Sequence, residues 1–561
     1  MSTAHHPFWP KGMPSTLTLP DVTLWDNLAT AAARYPERPA VVFYGASLSY
    51  ARLAREADLL AGYLQYHCGV TRGERVILLS QNCPQFFIAY YAIVRLGAVV
   101  VPVNAMSTSQ ELAYFVEDSG ARVGLLAQEM YERARPLLDD GRLAHLVVHT
   151  YSDYAGRPLS AEVPGWVALP RQPINDPSVT FLADALAAGR PAVPERFGPE
   201  QMSILPYTSG TTGHPKGCVH THRSVMAAVA GSAVWRGLHS ESVFFSVAPL
   251  FHLLGMQNGM NLPVFLGATV IMLPRWDESL AAALIERYRV SMWSATPAML
   301  VDFFSNPVVR ERDLSSLTLL AGGGAAMPEA ISKMLREQYQ IDFNEAYGLT
   351  ETAAFLHANP VQRGKPQCLG MPTFGVESRV IDPDTLEELP PGEVGELITC
   401  GEQVMVGYWN NPTANEESFL IRDGKRFFRT GDLVSVDEEG YFFMRDRLKR
   451  MISVSGYKVW PAEVESLFYH HPQVQEACIV SVPDRRSGEA VKAVLVMKPG
   501  ATHDEADIIA WARSKMAVYK APRFVEFRSS LPRSATGKIQ WREVQDEQQL
   551  THVAEAGVSG D

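Results

Sequence analysis

Hydrophobic and polar positions in the first part of the chain alternate between the period of amphipathic helices and short, continuously apolar runs. The predicted helices cover 23–35, 49–66, 84–96 and 109–118, and the predicted strands cover 75–80 and 98–103. Strands that are apolar on both faces and separated by helices are typical of a mostly parallel sheet covered on both sides. The segment 23–150 is therefore predicted to be an α/β subdomain.

A second alternating block follows from 203 to about 350. Its predicted strands cover 202–206, 242–247, 269–273, 292–295 and 317–320, and an amphipathic helix is predicted over 224–235. The intervening residues 151–200 are rich in Pro, Ser and Ala, and they predict surface connections with one short helix over 180–188. The pattern indicates a second α/β subdomain.

Beyond Gly375 the period changes to that of β-hairpins. Predicted strands over 377–381 and 393–399 flank a turn at 382–385, and another hairpin turns at 437–440. After Arg445 the pattern is α+β, with helices over 461–469 and 504–516 and strands over 477–482 and 491–497. The predicted fold class is α/β: a large N-terminal domain, 1–445, of two α/β subdomains plus a β-rich subdomain, and a small α+β C-terminal domain, 451–561.

Composition narrows the functional classes. A chain of 561 residues needs more than one core, and 47% apolar with 20% charged residues is ordinary for a globular protein. The net charge of −11 and the lack of a basic tract argue against nucleic acid as a partner. The most apolar stretch, 86–103, is interrupted by Arg95 and Gly97, so no transmembrane segment is predicted. Scattered cysteines and no signal sequence predict a cytoplasmic location.

The most informative segment is Tyr207-Thr-Ser-Gly-Thr-Thr-Gly-His-Pro-Lys-Gly217. Its glycines let the backbone approach an anion closely, and its amide N–H groups and hydroxyls can surround a triphosphate. The segment is not a Walker A loop, because Gly-Lys-Ser/Thr is missing at the required spacing. A flexible linker is the alternative interpretation, but the segment lies between a predicted strand and a predicted helix, which favours a phosphate loop.

Further motifs follow in order: Pro249-Leu-Phe-His252, Gly322-Gly-Gly-Ala-Ala-Met327, Asn344-Glu-Ala-Tyr-Gly-Leu-Thr-Glu351, Thr430-Gly-Asp432, Asp446-Arg-Leu-Lys449, Ser455-Gly-Tyr-Lys458 and Thr536-Gly-Lys538. Over roughly 23–545 this ordered set resembles the adenylate-forming superfamily, which holds acyl-CoA synthetases, aryl-CoA ligases, peptide-synthetase adenylation domains and beetle luciferases. The resemblance implies activation of a carboxylic acid with ATP.

The resemblance also implies where ATP and Mg²⁺ bind. Glu351 is expected to hold Mg²⁺ with a loop threonine, Thr208 or Thr211, since this hard cation prefers oxygen ligands. Tyr347 is expected to stack on adenine, Asp432 to accept from the ribose hydroxyls, and Arg447 to reach the ribose or a phosphate. The remaining expected nucleotide contacts are Ser209, Gly210, Thr212, Lys216, Gly323, Gly324, Ala325, Glu345, Ala346 and Thr350. Three consecutive glycines after an apolar strand also indicate a slot that packing alone does not explain.

The catalytic residues implied by the resemblance are Lys538, Glu351 and Thr208. Lys538 would bridge the acyl carboxylate and the α-phosphate, where fixed positive charge stabilises an anionic transition state. The C-terminal domain would then rotate about a hinge at 446–450, with Lys449 as the pivot. Rotation would bring the loop with Ser455, Gly456 and Tyr457 to the site for attack by CoA.

The acyl pocket is expected to be bounded by His252, Gly255, Met256, Gly322 and Gly348. No acidic or amide side chain in this set would recognise a polar substrate, so a medium- or long-chain fatty acid is favoured over an aryl acid. CoA is the expected acceptor and co-substrate; a carrier protein, an oxygenase step or a non-catalytic binding role are the alternatives. Peripheral membrane contact and a homodimer are also compatible with the sequence.

Overall fold

The structure is a computed structural model, and it describes residues 6–156, 162–208, 215–323, 327, 329–455, 457–484, 487–501, 504–533 and 539–548. The chain divides into two compact units. One holds His5–Glu377 and Cys400–Arg426, and the other holds Ser378–Thr399 and Phe427–Asp561 with Met1–Ala4. The predicted domain limits, 1–445 and 451–561 with a hinge at 446–450, stay a prediction.

One sheet of the first unit has a parallel centre. Its strands lie in the order Gly407–Tyr408, Lys216–Thr221, Met202–Ile204, Val99–Val103, Arg75–Leu79, Val123–Ala127, His145–His149 and Val179–Phe181, and Tyr207–Thr208 pairs with Lys216–Thr221. The strands from Val99–Val103 to Val179–Phe181 run parallel. Arg75–Leu79 and Val99–Val103 are almost wholly buried, as their continuous apolar sequences predict.

The other sheet of this unit carries the strands Met371–Pro372, His357–Ala358, Phe343–Tyr347, Leu319–Gly322, Met292–Ser294, Val243–Ser246, Thr269–Met272, Pro39–Phe43 and Ala46–Ser49, in that order. The two sheets exchange strands between the sequence blocks. Pro39–Phe43 pairs with Thr269–Met272, although it belongs to the first block. Met202–Ile204 pairs with Val99–Val103, although it belongs to the second.

The four helices predicted between 23 and 118 begin and end close to the predicted residues. Thr108 and Glu111 form a capping box at the start of one helix, and Gly120 ends it in the left-handed conformation. The α-helices are Leu24–Arg34, Tyr50–Tyr66, Pro84–Arg95, Ser109–Ser119, Tyr131–Asp139, Gly165–Ala168, Leu182–Ala187, His222–Trp235, Leu253–Met256, Leu262–Leu266, Glu278–Tyr288, Pro297–Ser305, Pro307–Arg310, Glu329–Met334 and Pro412–Ser418. Gln257–Asn261 and Leu335–Tyr339 are π-helical.

Three local features differ from the sequence prediction. The helix predicted over 180–188 begins only at Leu182, because Val179–Phe181 extends the first sheet beside His145–His149. The helix His222–Trp235 is buried almost all round, so its expected amphipathic character is absent. The strands at Pro39–Phe43 and Ala46–Ser49 are missing from the predicted set.

The second unit contains two smaller sheets. Gly395–Cys400 lies between Glu377–Ile381 and Lys425–Val436, which also pairs with Phe442–Arg447. The predicted turn at 382–385 is held by Asp382, whose carboxylate accepts the N–H groups of Asp384 and Thr385. The strand Phe419–Arg422 comes just before Lys425–Val436 in the chain.

The other sheet of the second unit has the order Tyr457–Val459, Ile452–Val454, Gly488–Met497 and Val474–Asp484, and Phe524–Arg528 pairs in parallel with Gly488–Met497. The helices Pro461–Phe468 and Glu505–Lys515 share a buried apolar cluster with this sheet. The predicted α+β character of the C-terminal segment is thus confirmed, as is the mixed α/β class of the chain. Within the described residues, no helix is long and apolar enough to cross a membrane.

Candidate functional site

Several predicted site residues lie outside the described residues. They are Ser209, Gly210, Thr211, Thr212, Gly324, Ala325, Gly456 and Lys538. Their assigned roles stay predictions. The described site residues of the first unit surround the motifs that begin at Tyr207, Pro249, Gly322 and Asn344.

Thr208 and Lys216, which flank the phosphate loop, are direct partners across two antiparallel strands. Lys216 is the first residue of the strand Lys216–Thr221, and the helix that follows begins at His222. The strand pair therefore brings Thr208 and Lys216 next to each other. The Lys216 ammonium lies 4.9 Å from the ring centroid of Tyr408, an aromatic contact that favours a cation.

Tyr408 also contacts the predicted metal ligand. Its hydroxyl donates to the Glu351 carboxylate at 2.7 Å, and the Glu351 carbonyl accepts the N–H of Met405 at 2.8 Å. Tyr408 therefore joins Lys216 and Glu351 in one cluster beside Thr208. Tyr408 is 9% exposed. Burial, and to a lesser extent the Glu351 charge, raises the pKa of its hydroxyl, so the hydroxyl remains a donor at neutral pH.

Thr350, next to Glu351, is fixed from the opposite side by His220. The Thr350 carbonyl accepts a hydrogen bond of 2.7 Å from Nε2 of His220, and Nδ1 of His220 lies 3.0 Å from the Ser224 hydroxyl. Burial lowers the pKa of His220 to about 4, so the imidazole is neutral at neutral pH. His220 is a positioning residue that sequence reasoning missed, because it belongs to none of the recognised motifs.

The oxygen ligands available around Glu351 fit a cation whose other ligands are mostly phosphate oxygens and water. The described residues contain no group of three or more His, Cys, Asp or Glu side chains that could hold a metal ion. Mg²⁺ is commonly bound by one or two carboxylates together with phosphate oxygens and water. One carboxylate at Glu351 with a hydroxyl at Thr208 matches that chemistry, and a metal cage made only of protein side chains does not.

The predicted adenine slot lies where two parallel strands end. Gly322 pairs with Glu345 across the strands Leu319–Gly322 and Phe343–Tyr347. Glu345 is buried, and its carboxylate accepts the N–H groups of Met327 at 3.1 Å and Cys368 at 2.8 Å. Desolvation raises the pKa of Glu345. These bonds fix the loop that enters the slot, so Glu345 has a clear structural role whether or not it touches a nucleotide.

Close backbone contacts explain the glycines of this region. A Cβ atom on Gly322 would lie 1.9 Å from the carbonyl oxygen of Ala295, and one on Gly323 would lie 2.0 Å from that of Ala346. A Cβ atom on Gly348 would likewise lie 2.5 Å from the carbonyl oxygen of Ala354. Packing alone therefore requires these glycines, contrary to the sequence interpretation, and they add little evidence for a nucleotide slot.

Tyr347 ends the strand beside these glycines and is largely buried, with its ring centroid 5.6 Å from that of His357. Ala346 precedes it on the same strand. Stacking of Tyr347 on adenine stays a prediction.

The predicted acyl pocket includes two exposed residues, His252 and Gly348, and three buried ones. His252 is exposed, whereas Gly255 and Met256 are buried in the short helix Leu253–Met256. A Cβ atom on Gly255 would lie 2.2 Å from the Pro249 carbonyl oxygen. The buried side chain of Asn82 holds this segment, since it accepts the N–H of Leu250 at 2.8 Å and donates to the Ala248 carbonyl at 3.0 Å.

Sequence reasoning missed the polar side chains that border this segment. The helix continues as the π-helical turn Gln257–Asn261, which buries Gln257 and Asn261. Asn258 contacts the buried side chain of Arg236. The available signals were an arginine at the end of a very apolar helix and amides within an apolar run, and π-helical turns are frequent at functional sites. The expectation that no amide side chain recognises the substrate stays a prediction.

The predicted ribose site lies in the second unit. Asp432 and Arg447 are direct partners on neighbouring antiparallel strands, and Nε of Arg447 lies 3.0 Å from Oδ1 of Asp432. The Asp432 side chain is 1% exposed, whereas that of Arg447 is 44% exposed. The strand pairing thus brings together the two residues assigned to the ribose and phosphate.

The predicted hinge is attached to the helix Pro461–Phe468 of the same unit. The Asp446 carboxylate accepts the N–H of Ala462 at 2.6 Å, and Arg450 forms an ion pair with Glu465. Burial raises the pKa of Asp446 despite the nearby Arg450. Between them, Lys449 lies exposed in a turn of 3₁₀-helix.

The predicted CoA loop adopts an uncommon backbone conformation. Ser455 has a φ of 52°, in the left-handed region that residues with a Cβ rarely occupy. Its N–H donates to the Ser487 carbonyl at 2.9 Å. Tyr457 is 61% exposed and stacks on Tyr519, with ring centroids 4.9 Å apart. The loop presents an exposed aromatic ring beside a constrained backbone.

Comparison with known proteins supplies the family. Residues 28–409 match the AMP-binding enzyme family, and residues 463–538 match the AMP-binding enzyme C-terminal domain. The long-chain-fatty-acid–CoA ligase of Bacillus subtilis (strain 168) is 32% identical over 97% of this chain and 98% of its own. The feruloyl-CoA synthase of an Amycolatopsis species is 35% identical over 90% and 94%.

A solved structure, ATP-bound MatB from Rhodopseudomonas palustris, matches with a TM-score of 0.84 at 26% identity, over 95% of this chain and 100% of that one. The similarity to known proteins, in sequence and in fold, therefore extends over nearly the whole length of the chain. The chain belongs to the AMP-binding enzyme family, within the adenylate-forming superfamily.

Proposed function

We propose that the chain is an AMP-forming acid–thiol ligase that converts a medium- or long-chain fatty acid, ATP and CoA into acyl-CoA, AMP and pyrophosphate. The observation that carries the proposal is the cluster around Tyr408. Its side chain contacts both the Lys216 ammonium, next to the phosphate loop, and the Glu351 carboxylate, which is expected to bind the metal. Full-length similarity to a fatty-acid ligase supports the choice of acid.

In the first half-reaction, a substrate carboxylate oxygen attacks the α-phosphate of ATP and pyrophosphate leaves. Both reactants are anionic, so positive charge and in-line orientation are the main requirements. Lys216 and the hydroxyls that begin at Thr208 hold the β- and γ-phosphates. Lys538 supplies charge at the α-phosphate and the attacking carboxylate. Asp432 fixes the ribose by accepting from its hydroxyls, and Arg447 reaches the ribose or a phosphate.

Glu351 and Thr208 hold Mg²⁺ in this proposal. The bound cation supplies neutralisation of phosphate charge. The chain supports that arrangement through Tyr408, which fixes the Glu351 carboxylate, and through His220, which fixes the adjacent Thr350 carbonyl.

In the second half-reaction, the thiol sulfur of CoA attacks the acyl carbonyl, and AMP leaves as the C–O bond of the mixed anhydride breaks. Rotation at Lys449 withdraws Lys538 and brings Ser455, Gly456 and Tyr457 to the acyl-adenylate. The exposed ring of Tyr457 and the constrained backbone at Ser455 support a role for this loop in contact with a ligand.

A second candidate is an aryl-acid CoA ligase. Identity of 35% to a feruloyl-CoA synthase favours it, and the fatty-acid ligase is similar over more of the chain. Transfer to a carrier protein is a further alternative on the same scaffold. A cytoplasmic location agrees with six cysteines that form no disulfide bond. Peripheral membrane contact and a homodimer stay predictions.

Exchange of labelled pyrophosphate into ATP tests the first half-reaction without CoA. The full-length protein would be given Mg²⁺, ATP and, in turn, acetate, octanoate, palmitate, benzoate and ferulate. We expect exchange with octanoate or palmitate, and thioester formation once CoA is added. Faster exchange with ferulate or benzoate would identify an aryl-acid ligase, and no exchange with any acid would reject the proposal.

A further inference from the structure

Arg236 is a buried cation near the predicted acyl pocket. It follows the helix His222–Trp235 directly, and only 8% of the residue is exposed. Its Nη1 donates to the hydroxyl of Ser232 at 2.9 Å and to the side-chain carbonyl of Asn258 at 2.8 Å. Its guanidinium carbon lies 5.1 Å from the ring centroid of Phe355. These partners are all neutral.

No carboxylate within the described part of the chain forms an ion pair with Arg236, and its buried Nε has no acceptor there. Burial lowers the pKa of Arg236 to about 10, with no acidic group to offset it, so the side chain still carries its charge at neutral pH. A buried charge without a counter-charge is expensive, and proteins normally pair such groups. An anion from outside the chain would provide the missing partner.

Other arginines of this protein show the usual arrangement. Arg223, on the same helix as the residues before Arg236, pairs with Glu200 at 2.7 Å and Asp21 at 2.9 Å although its side chain is 23% exposed. Arg450, in the second unit, is mostly buried and pairs with Glu465. Arg236 differs from both, because it combines deep burial with a set of neutral partners.

The position of Arg236 connects it with both walls of the predicted acyl pocket. Asn258, which it contacts, lies two residues beyond Met256 along the same helical segment. Phe355 adjoins Gly348, since a Cβ atom on Gly348 would lie 2.9 Å from the Phe355 nitrogen. Arg236 thus contacts one residue close in the chain to Met256 and another whose backbone adjoins Gly348.

A second donor in the same region also lacks a partner. Nε2 of Gln257 is buried and makes no hydrogen bond within the described residues, although Oε1 of Gln257 accepts from Asn261 at 2.9 Å. Gln257 precedes Asn258 directly. A buried amide N–H and a buried guanidinium N–H that both lack acceptors indicate that a ligand oxygen belongs here.

We propose that Arg236 binds a second carboxylate at the far end of the acid substrate, so that the preferred substrate class is aliphatic dicarboxylic acids. This inference rests on the proposed function and specifies its substrate. One carboxylate is activated at ATP, and the other pairs with Arg236, with Gln257 and Asn258 beside it. A guanidinium suits a carboxylate because its planar N–H groups can donate two parallel hydrogen bonds.

The test compares acids of equal carbon number in the pyrophosphate exchange assay. Hexanedioate, octanedioate and decanedioate would be paired with hexanoate, octanoate and decanoate, and kcat/KM would be measured for each with the full-length protein. We expect at least one dicarboxylate to exceed its monocarboxylate partner about tenfold or more, mainly through KM. Arg236→Met should remove this preference, whereas Arg236→Lys should retain part of it because the charge remains.

Arg223→Met is the matched control, because it removes another arginine of this helix, one that already pairs with Glu200 and Asp21. It should leave the preference for dicarboxylates unchanged. A wild-type protein that prefers every monocarboxylate would overturn the inference, as would a dicarboxylate preference that survives in folded Arg236→Met. If that variant does not fold, Arg236→Lys decides, because an unchanged KM ratio in it rejects recognition by the guanidinium. Preference for ω-hydroxy acids over dicarboxylates would also overturn it. Failure with all acids would instead reject the proposed function.

Discussion

Replacing Tyr408 with phenylalanine removes one hydroxyl from the cluster that joins Lys216 and Glu351. The ring stays in place, so the contact of the Lys216 ammonium with the ring at 4.9 Å is preserved. The lost interaction is the 2.7 Å hydrogen bond from the hydroxyl to the Glu351 carboxylate. The substitution therefore changes the fixation of the expected metal ligand and leaves the cation of the phosphate loop where it is.

The size of the effect follows from the charge and burial of this bond. A hydrogen bond to a charged group contributes about 1.5–3 kcal/mol, and about 1.4 kcal/mol corresponds to a factor of ten. Tyr408 is 9% exposed, so solvent can replace little of the lost bond. We expect Tyr408→Phe to raise the Mg²⁺ and ATP concentrations needed for half-maximal pyrophosphate exchange by roughly tenfold to a hundredfold.

Tyr63→Phe is the matched control, because it removes a hydroxyl that makes a bond of the same length, 2.7 Å, to the hydroxyl of Thr180. Both variants would be titrated with Mg²⁺ at fixed ATP and with ATP at saturating Mg²⁺. Circular dichroism would establish that both are folded. An unchanged Mg²⁺ titration for folded Tyr408→Phe would refute the reasoning, since Glu351 would then keep its function without this bond.

The remaining predictions concern the ribose, the two half-reactions, packing and pH. Asp432→Ala should raise the apparent KM for ATP severely, because two charge-assisted ribose bonds of about 1.5–3 kcal/mol each are lost. Lys538→Ala should abolish acyl-adenylate formation yet still convert supplied acyl-AMP and CoA to thioester; Lys449→Pro should do the opposite, because a fixed φ stiffens the pivot. Gly323→Ala should lower the free energy of unfolding in urea by about 1–3 kcal/mol through overcrowding. Burial lowers the pKa of one histidine to about 3 and of two others to about 4, against an unfolded value of 6.5, so the unfolded chain binds more protons below pH 6.5. From pH 7 to pH 5 the free energy of unfolding should fall by about 2 kcal/mol for each of His149, His220 and His222.

Each of these predictions has an opposing outcome. An unchanged ATP titration in folded Asp432→Ala would leave Asp432 as a structural partner of Arg447. Adenylation by Lys538→Ala would make Lys216 the next candidate for the catalytic lysine. If Lys538→Ala and Lys449→Pro each lost adenylation and thioester formation equally, the proposed domain rotation between the two half-reactions would be rejected. Normal urea stability of Gly323→Ala would contradict the 2.0 Å approach of the Ala346 carbonyl. A flat stability profile between pH 7 and pH 5 would contradict the neutral, buried histidines.

Most of the fold elements were predictable because their signals are local. The helix Ser109–Ser119 has its capping box in the sequence, and the strand Arg75–Leu79 is an apolar run of the right length. The pairing of Pro39–Phe43 with Thr269–Met272 was not predictable in this way, because no local pattern records which distant strand becomes a neighbour. The amphipathic character assigned to 224–235 was wrong for a related reason: burial of its polar positions depends on elements far along the chain.

Site residues that belong to a sequence motif were predictable. Residues that act by contacting a motif residue from a distant part of the chain were not. Glu351 stands in a recognisable motif, but the hydroxyl that fixes its carboxylate comes from Tyr408, 57 residues later. Arg236 has no motif at all, and only its burial among neutral groups distinguishes it from a surface arginine. Conversely, the motif glycines look functional in the sequence, although Gly322 and Gly323 are already required by contacts with neighbouring backbone.

The contacts around the predicted hinge restrict how rotation at Lys449 could occur. Arg450 lies after this residue and pairs with Glu465, so it moves with the helix Pro461–Phe468 and need not break that contact. Asp446 lies before the pivot, yet its carboxylate accepts the N–H of Ala462 at the start of the same helix, so this bond spans the pivot. Rotation about Lys449 must therefore break the Asp446–Ala462 bond. Burial already raises the pKa of Asp446, so losing that donor leaves a carboxylate that needs a new partner or water. In the proposed rotation, the energy difference between the two domain positions would therefore depend on which groups donate to the Asp446 carboxylate in each.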